Sequence, residues 1–364
     1  MTNTMPSVHG VDTGQLESFL NGINQQTTGY LPPLRLADFL ALLHHGGSAF
    51  TPGAILNGIG RYAWGEILVD MRVLAQLVIL AVVCAVLENL QGAFEREAVG
   101  KLAYTVGFLA LVALAFGSFS MAMQGAKGSL EQLVNFMEAL VPLLLTLLAG
   151  TGAFTTAGLF QPILVVTVNG VSVLVADVVL PLLFLAAVVE VVGGISTTWR
   201  LSYLSSLLRQ GSVFALGLLF SVFLGVIAIE GVVAPVADGV ALRTGKFLAS
   251  SFIPVVGKMF ADATELILGS SLLLKSAVGL VGAIGILFMM VFPLLKLISL
   301  VLSYRVAAAV IQPIGVTQVV EALNSMANSL TLVLVSLGLV TLMFFLAITI
   351  VLGAGNAAII GGGA

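Results

Sequence analysis

The chain has 364 residues, 59% of them hydrophobic, with 17 acidic and 14 basic side chains and a mean hydropathy of +1.15. Globular chains carry about 25% Asp, Glu, Lys and Arg; at 9% this one cannot hide its apolar surface from water and needs lipid as its solvent. A net charge of -3 offers nucleic acid no basic stripe. His44 and His45 are adjacent, Cys84 is the single cysteine, and no HExxH or CxxC occurs, so neither a metal site nor a disulfide is expected and no cofactor is implied.

Residues 1–68 hold Asn, Gln, Thr, Gly and Pro without a long apolar run and read as an extramembrane arm, with no basic-then-apolar leader before Asp38. Within it, Leu34 to Leu43 suits a short amphipathic helix, and Tyr62 with Trp64 suits an interfacial anchor. A crossing helix needs about 20 apolar residues, and 73–90, 102–123, 213–233, 278–303 and 330–353 qualify. The apolar stretch 159–195 is too long for one straight crossing and is interrupted at Asn169-Gly170, Asp177 and Pro181. It predicts a half-helix over 159–170 and a span over 173–195. Segments 133–150 and 251–274 each hold a proline, Pro142 or Pro254, and ionisable residues, Glu138 or Lys258, Asp262 and Glu265. They predict re-entrant or pore-lining elements. The expected fold is all-α and polytopic, with about six to eight membrane segments.

At an offset of 112 residues Pro142 falls on Pro254, Gly170 on Gly282 and Pro181 on Pro293. This self-similarity predicts an internal duplication. The domain order is then the arm, a first span and loop (69–101), repeat units 102–212 and 213–329, and a last span with a flexible Gly-rich tail (330–364). The copies are parallel if each unit crosses an even number of times and inverted if odd. Arg96, Lys101, Arg200, Arg209 and Arg305 follow spans, and the positive-inside rule places them together only if 133–170 dips in and returns to the same face. That arrangement leaves Arg243, Lys246, Lys258 and Lys275 on the far side.

Trp199, Tyr203, Leu204, Leu207 and Leu208 share one helical face while Arg200, Ser205 and Arg209 take the other, the pattern of a helix lying on the membrane surface. Gly217, Ser221 and Gly225 repeat every four residues and suit close helix packing, within one chain or across a homo-oligomer seam. Gly279, Gly282 and Gly285 form a second smooth face.

Charges inside apolar segments cost about 2.5–3.5 kcal/mol each on insertion scales and mark functional paths unless they snorkel. The candidates for a transport path are Glu138, Asp177, Asp262, Glu265, Lys275 and Lys296, with Gly170 and Gly282 as helix breaks. Glu88, Glu190 and Glu230 also stand within or beside spans. The polar string over 236–247 concentrates Asp238, Arg243 and Lys246. With Lys258 these are candidates for contact with an anion or a partner, the alternative being a solvated loop. No intramembrane protease motif and no Walker-type phosphate loop is present. No enzyme activity is expected, and any ATP-derived energy must come from another subunit.

The strings 89–95 (NLQGAFE), 236–247 (VADGVALRTGKF), 252–264 (FIPVVGKMFADAT) and 344–350 (FFLAITI) resemble the stage III sporulation protein AE family of endospore-forming bacteria, over about 69–356. The resemblance implies a multi-pass component of the channel complex between mother cell and forespore, in the mother-cell membrane surrounding the forespore. It implies as partners the other stage III sporulation A proteins, including a secretion-type ATPase and ring-forming subunits. Family members usually begin with a signal-like segment, from which this chain departs, and no catalytic residues come with the family. The leading reading is a channel or transport subunit that passes small polar or anionic solutes. The alternative is a non-conducting scaffold that docks the ATPase and rings.

Overall fold

A computed structural model describes residues 18, 20–22, 24, 30, 52–91, 97–195, 201–252 and 256–360, with the side chains of 52, 54, 87–101, 103, 104, 194, 195, 229–270 and 355–360 outside that description. The described elements are helical: α1 (Pro52–Gln91), α2 (Glu97–Gly150), α3 (Phe154–Ser172), α4 (Leu180–Ile195), α5 (Ser202–Phe252), α6 (Val256–Ile311) and α7 (Thr317–Ile360). A π-helical segment, Val173–Val179, joins α3 to α4 without a break. Six stretches are long and apolar enough to cross a membrane: Ile55–Val86, Thr105–Gly150, Phe154–Gly193, Ser202–Ala228, Ser271–Ile314 and Thr317–Ala354. Two tight reversals use glycine in the left-handed region, Gly152 after α2 (φ 83) and Gly315 before α7 (φ 94). A β-carbon there would be strained, so glycine sets where the chain turns back.

The helices run far past one bilayer thickness. At 1.5 Å per residue, the 54 residues of α2 reach about 80 Å. The core lies along α7, where Leu330, Val333, Leu337, Val340, Met343 and Phe344 are fully buried between α6, α5, α4 and α2. Side-chain contacts fix the levels. The Tyr62 ring lies 4.3 Å from that of Phe292 and Glu66 meets Lys296, so α1 and α6 run parallel. The Tyr304 hydroxyl donates to the Ala115 carbonyl at 2.6 Å, and a β-carbon at Gly282 would run into Leu140, so α2 runs antiparallel to α6.

Several sequence expectations change here. The apolar run expected over 73–90 lies on a longer helix: α1 starts at Pro52, and its stretch long and apolar enough to cross is Ile55–Val86. Glu66 and Asp70 end the apolar run in sequence, but they turn inward against Lys296 and Ser299. The re-entrant element expected over 133–150 is not formed: 102–123 and 133–150 lie on one uninterrupted α2. Pro142 is accommodated inside the helix, and the Thr146 hydroxyl donates to its carbonyl at 2.8 Å. Likewise 256–274 continues into α6. Gly170 and Gly282 break nothing. Gly170 sits exposed in the last turn of α3, ahead of the π segment, while Gly282 is buried in mid-α6.

Those two environments also separate the supposed repeat copies. In addition α2 ends at Gly150 while α5 runs to Phe252, so these helix ends do not fall at an offset of 112. With α2 and the α3–α4 rod each crossing once, the end of α1, the start of α2, the end of α4, the start of α5 and the α6–α7 turn all fall at one end of the bundle. Arg209 and Arg305 share that end without any dip, as Arg209 meets Ser325 and Arg305 meets Thr331, both near the start of α7.

Charges at membrane depth

Inside the bundle, polar side chains come in contacts between helices. Arg209 on α5 is 2.6 Å from a Glu190 carboxylate oxygen on α4. Its guanidinium also donates to the Ser325 hydroxyl (2.7 Å) and carbonyl (3.1 Å) on α7. Three helices are thereby tied at one level, all through the one terminal nitrogen Nη2 of Arg209. The expected surface helix around 199–209 is instead the first turns of α5. Tyr203, Leu204 and Leu207 face outward while Ser205 and Arg209 face in, because lipid outside and a carboxylate inside invert the usual pattern.

On the opposite flank, Tyr62, Glu66 and Asp70 follow one another every four residues along α1 and face Phe292, Lys296 and Ser299 on α6. Glu66 and Lys296 are 4.0 Å apart. Lys275 is fully buried, and its ammonium donates to the Leu352 carbonyl at 2.9 Å near the far end of α7. Of the predicted path residues, then, Lys275 and Lys296 are held by contacts between helices, though the Lys296 side chain remains mostly exposed beside Glu66.

Glu138 and Asp177 lie on the outside. Asp177, in the π segment, is 3.6 Å from Lys127 on α2, with both side chains about half exposed (48% for Lys127, 61% for Asp177). Down the same face of α2 run Gln124, Lys127, Glu131, Asn135 and Glu138, all exposed. The intervals of three and four residues make this one stripe, about 21 Å long at 1.5 Å per residue. Neither Glu131 nor Glu138 has an ion pair with a described residue. The Ala115 and Leu140 contacts bracket the stripe against 282–304 of α6, whose one charge within that stretch is Lys296. The stripe therefore stands at the depth of an apolar crossing. Beside it Val166, Val173 and Val178 are exposed on the α3–α4 rod.

The bundle interior is dry where α2, α3 and α7 meet: the crevice lined by Met137, Val141, Leu144, Leu164 and Val351 has no room for a water molecule. No three His, Cys, Asp or Glu side chains converge among the described residues. Among the described residues nothing lies within 4 Å of where a β-carbon would sit at Gly217 or Gly225, and Ser221 donates to the Gly217 carbonyl. Packing within the chain uses Gly279 and Gly282 instead, where a β-carbon would collide with Leu352 and Leu140. The side chains of Asp238, Arg243, Lys246, Lys258, Asp262, Glu265, Glu88 and Glu230 lie outside the described residues; the backbone over 236–247 is helical, part of α5.

Sequence reasoning missed the acids Glu66 and Asp70 and the stripe residues Lys127 and Glu131. Each set recurs at helical spacing in the sequence, a signal that the search for apolar runs passed over.

Long apolar helices tied by inward ion pairs, with glycine contacts between them, define a polytopic α-helical membrane protein. The chain belongs to the stage III sporulation protein AE family, whose model matches residues 34–355, and it is a sporulation component. A relative named stage III sporulation protein AE, from Bacillus subtilis (strain 168), is 35% identical over 346 residues, covering 95% of this chain and 86% of the relative. No solved structure matches.

Proposed function

We propose that this chain is the conducting membrane component of a channel complex between mother cell and forespore. It sits in the mother-cell membrane surrounding the forespore beside the other stage III sporulation A proteins. It carries out no enzymatic chemistry, and a separate secretion-type ATPase supplies the energy. One observation carries the reading: Lys127, Glu131, Glu138 and Asp177 stand on an outer face at the depth of apolar helices. Hydrocarbon does not tolerate such a row, and water or protein must cover it.

The dry crevice between α2, α3 and α7 favours a second reading, a scaffold that docks the ATPase and ring-forming subunits and conducts nothing. Mutation separates the two. Glu138→Gln and Asp177→Asn leave assembly intact and reduce solute passage into the forespore if the chain conducts. Unchanged passage with both variants in an assembled complex decides for the scaffold.

A further inference from the structure

The stripe on α2 raises the question of where a path runs, since the crevice where α2, α3 and α7 meet has no room for water. Its residues alternate in sign and character within a few turns: Lys127, then Glu131, Asn135 and Glu138. Lys127 already has Asp177 of the same chain as a partner, and among the described residues no ion pair answers the carboxylates of Glu131 and Glu138. Gly117 and Gly125, also exposed on α2, and Gly128 between Lys127 and Glu131 have open space where a β-carbon would stand, so a neighbouring surface can approach closely at the edges of the stripe. The flanking exposed residues Met121, Val166 and Val173 are apolar and suit lipid or a packed helix.

We infer that copies of this chain assemble around a shared axis with their α2 stripes facing one another across a water-filled seam, and that this seam is a passage selective for cationic and neutral polar solutes. The inference rests on the conducting role proposed above and locates the path between chains. Closed rotational assembly withdraws every copy's stripe from lipid using one surface repeated. Parallel copies set equal levels of the stripe opposite one another, Glu131 facing Glu131 and Glu138 facing Glu138, so the centre stays wet while the open glycines and apolar flanks form the edges. Two carboxylates per copy without a described ion pair, repeated round the axis, make acidic rings of the kind that pass cations and repel anions. Anionic cargo, which the sequence alone left open, is disfavoured.

The test uses the full chain in its assembled complex in native membranes, with Cys84→Ser as background. Single cysteines replace Asn135, on the stripe, and Val222, an exposed apolar residue of α5. A cleavable bis-maleimide is added and solute passage is followed before and after cleavage of the linker. The expected result is a ladder of two or more copies from Asn135→Cys, monomer from Val222→Cys, and passage lost on cross-linking and regained on cleavage. In addition, Glu138→Lys lowers the passage of a cationic dye relative to an anionic one by tenfold or more. Absence of the ladder, or cross-linking of Asn135→Cys only to a different protein, overturns the seam even if Glu138→Gln still impairs passage. A ladder that leaves passage untouched upholds the seam between copies and refutes the passage through it, and with it the conducting role.

Discussion

Two flanks of the bundle handle charge in opposite ways. Along α4, α5 and α7 the Arg209 guanidinium reaches a carboxylate and a serine on two other helices, and Glu66 on α1 faces Lys296 on α6. Along α2 the charges point away from the bundle, and beyond the Lys127–Asp177 pair no described ion pair answers them. Both sets stand beside apolar helices, so burial in the membrane alone does not explain the difference. The inward set ties helices to one another. The outward set contributes little to holding the monomer, because exposed charges on a face without packing partners add little to stability, and its presence is explained by what lies outside the monomer.

Mutations sharpen that contrast. The largest expected loss of stability follows Arg209→Ala, which leaves Glu190 unpaired and the Ser325 carbonyl and hydroxyl without their donor. Breaking such a pair costs about 3 kcal/mol, read as a lower unfolding midpoint in detergent, and the double variant with Glu190→Leu regains most of it. A smaller effect is expected at Gly282→Leu. The new side chain meets Leu140 in a packed interface, and overpacking costs about 1–3 kcal/mol. The matched change Gly170→Leu projects into open space and should cost less than about 1 kcal/mol. Equal costs at the two glycines would revive the repeat register that the structure does not support. Tyr304→Phe, losing the hydrogen bond to the Ala115 carbonyl, should cost about 1 kcal/mol. Least of all, Glu138→Gln should move the midpoint by under about 0.5 kcal/mol while lowering solute passage. A large loss of stability there would mean that Glu138 holds the fold and would erase the distinction between the two flanks.

Much of the fold was legible because composition alone demands lipid and each apolar run reads as a helix. What sequence reasoning misjudged was the effect of polar residues and prolines on continuity. Pro142, Gly170 and Asp177 read as interruptions in a linear scan, yet α2 carries Pro142 inside an unbroken helix and the chain passes Asp177 through a π turn. Helical continuity depends on packing against α6 and α7, which a window along one strand of sequence does not contain. The start of α1 was hidden for a related reason. Glu66 and Asp70 lower the local hydropathy, and their contacts with Lys296 and Ser299, more than two hundred residues away in sequence, are what turn these acids into the bundle. For the candidate site, Glu138 and Asp177 were readable as costly charges. Their common outward face was not, because it depends on which side of α2 meets α3 and α6.

Spin-label accessibility in the assembled, bilayer-embedded complex decides whether the α2 stripe is bathed in water at membrane depth. Labels placed singly at Glu131, Asn135 and Glu138, with Val173 and Val222 as exposed apolar controls, are relaxed by a water-soluble nickel complex and by oxygen, which concentrates in lipid. The account predicts that nickel relaxes the three stripe labels and oxygen the two controls. Stripe labels relaxed by oxygen and protected from nickel would place the charges in lipid and contradict it.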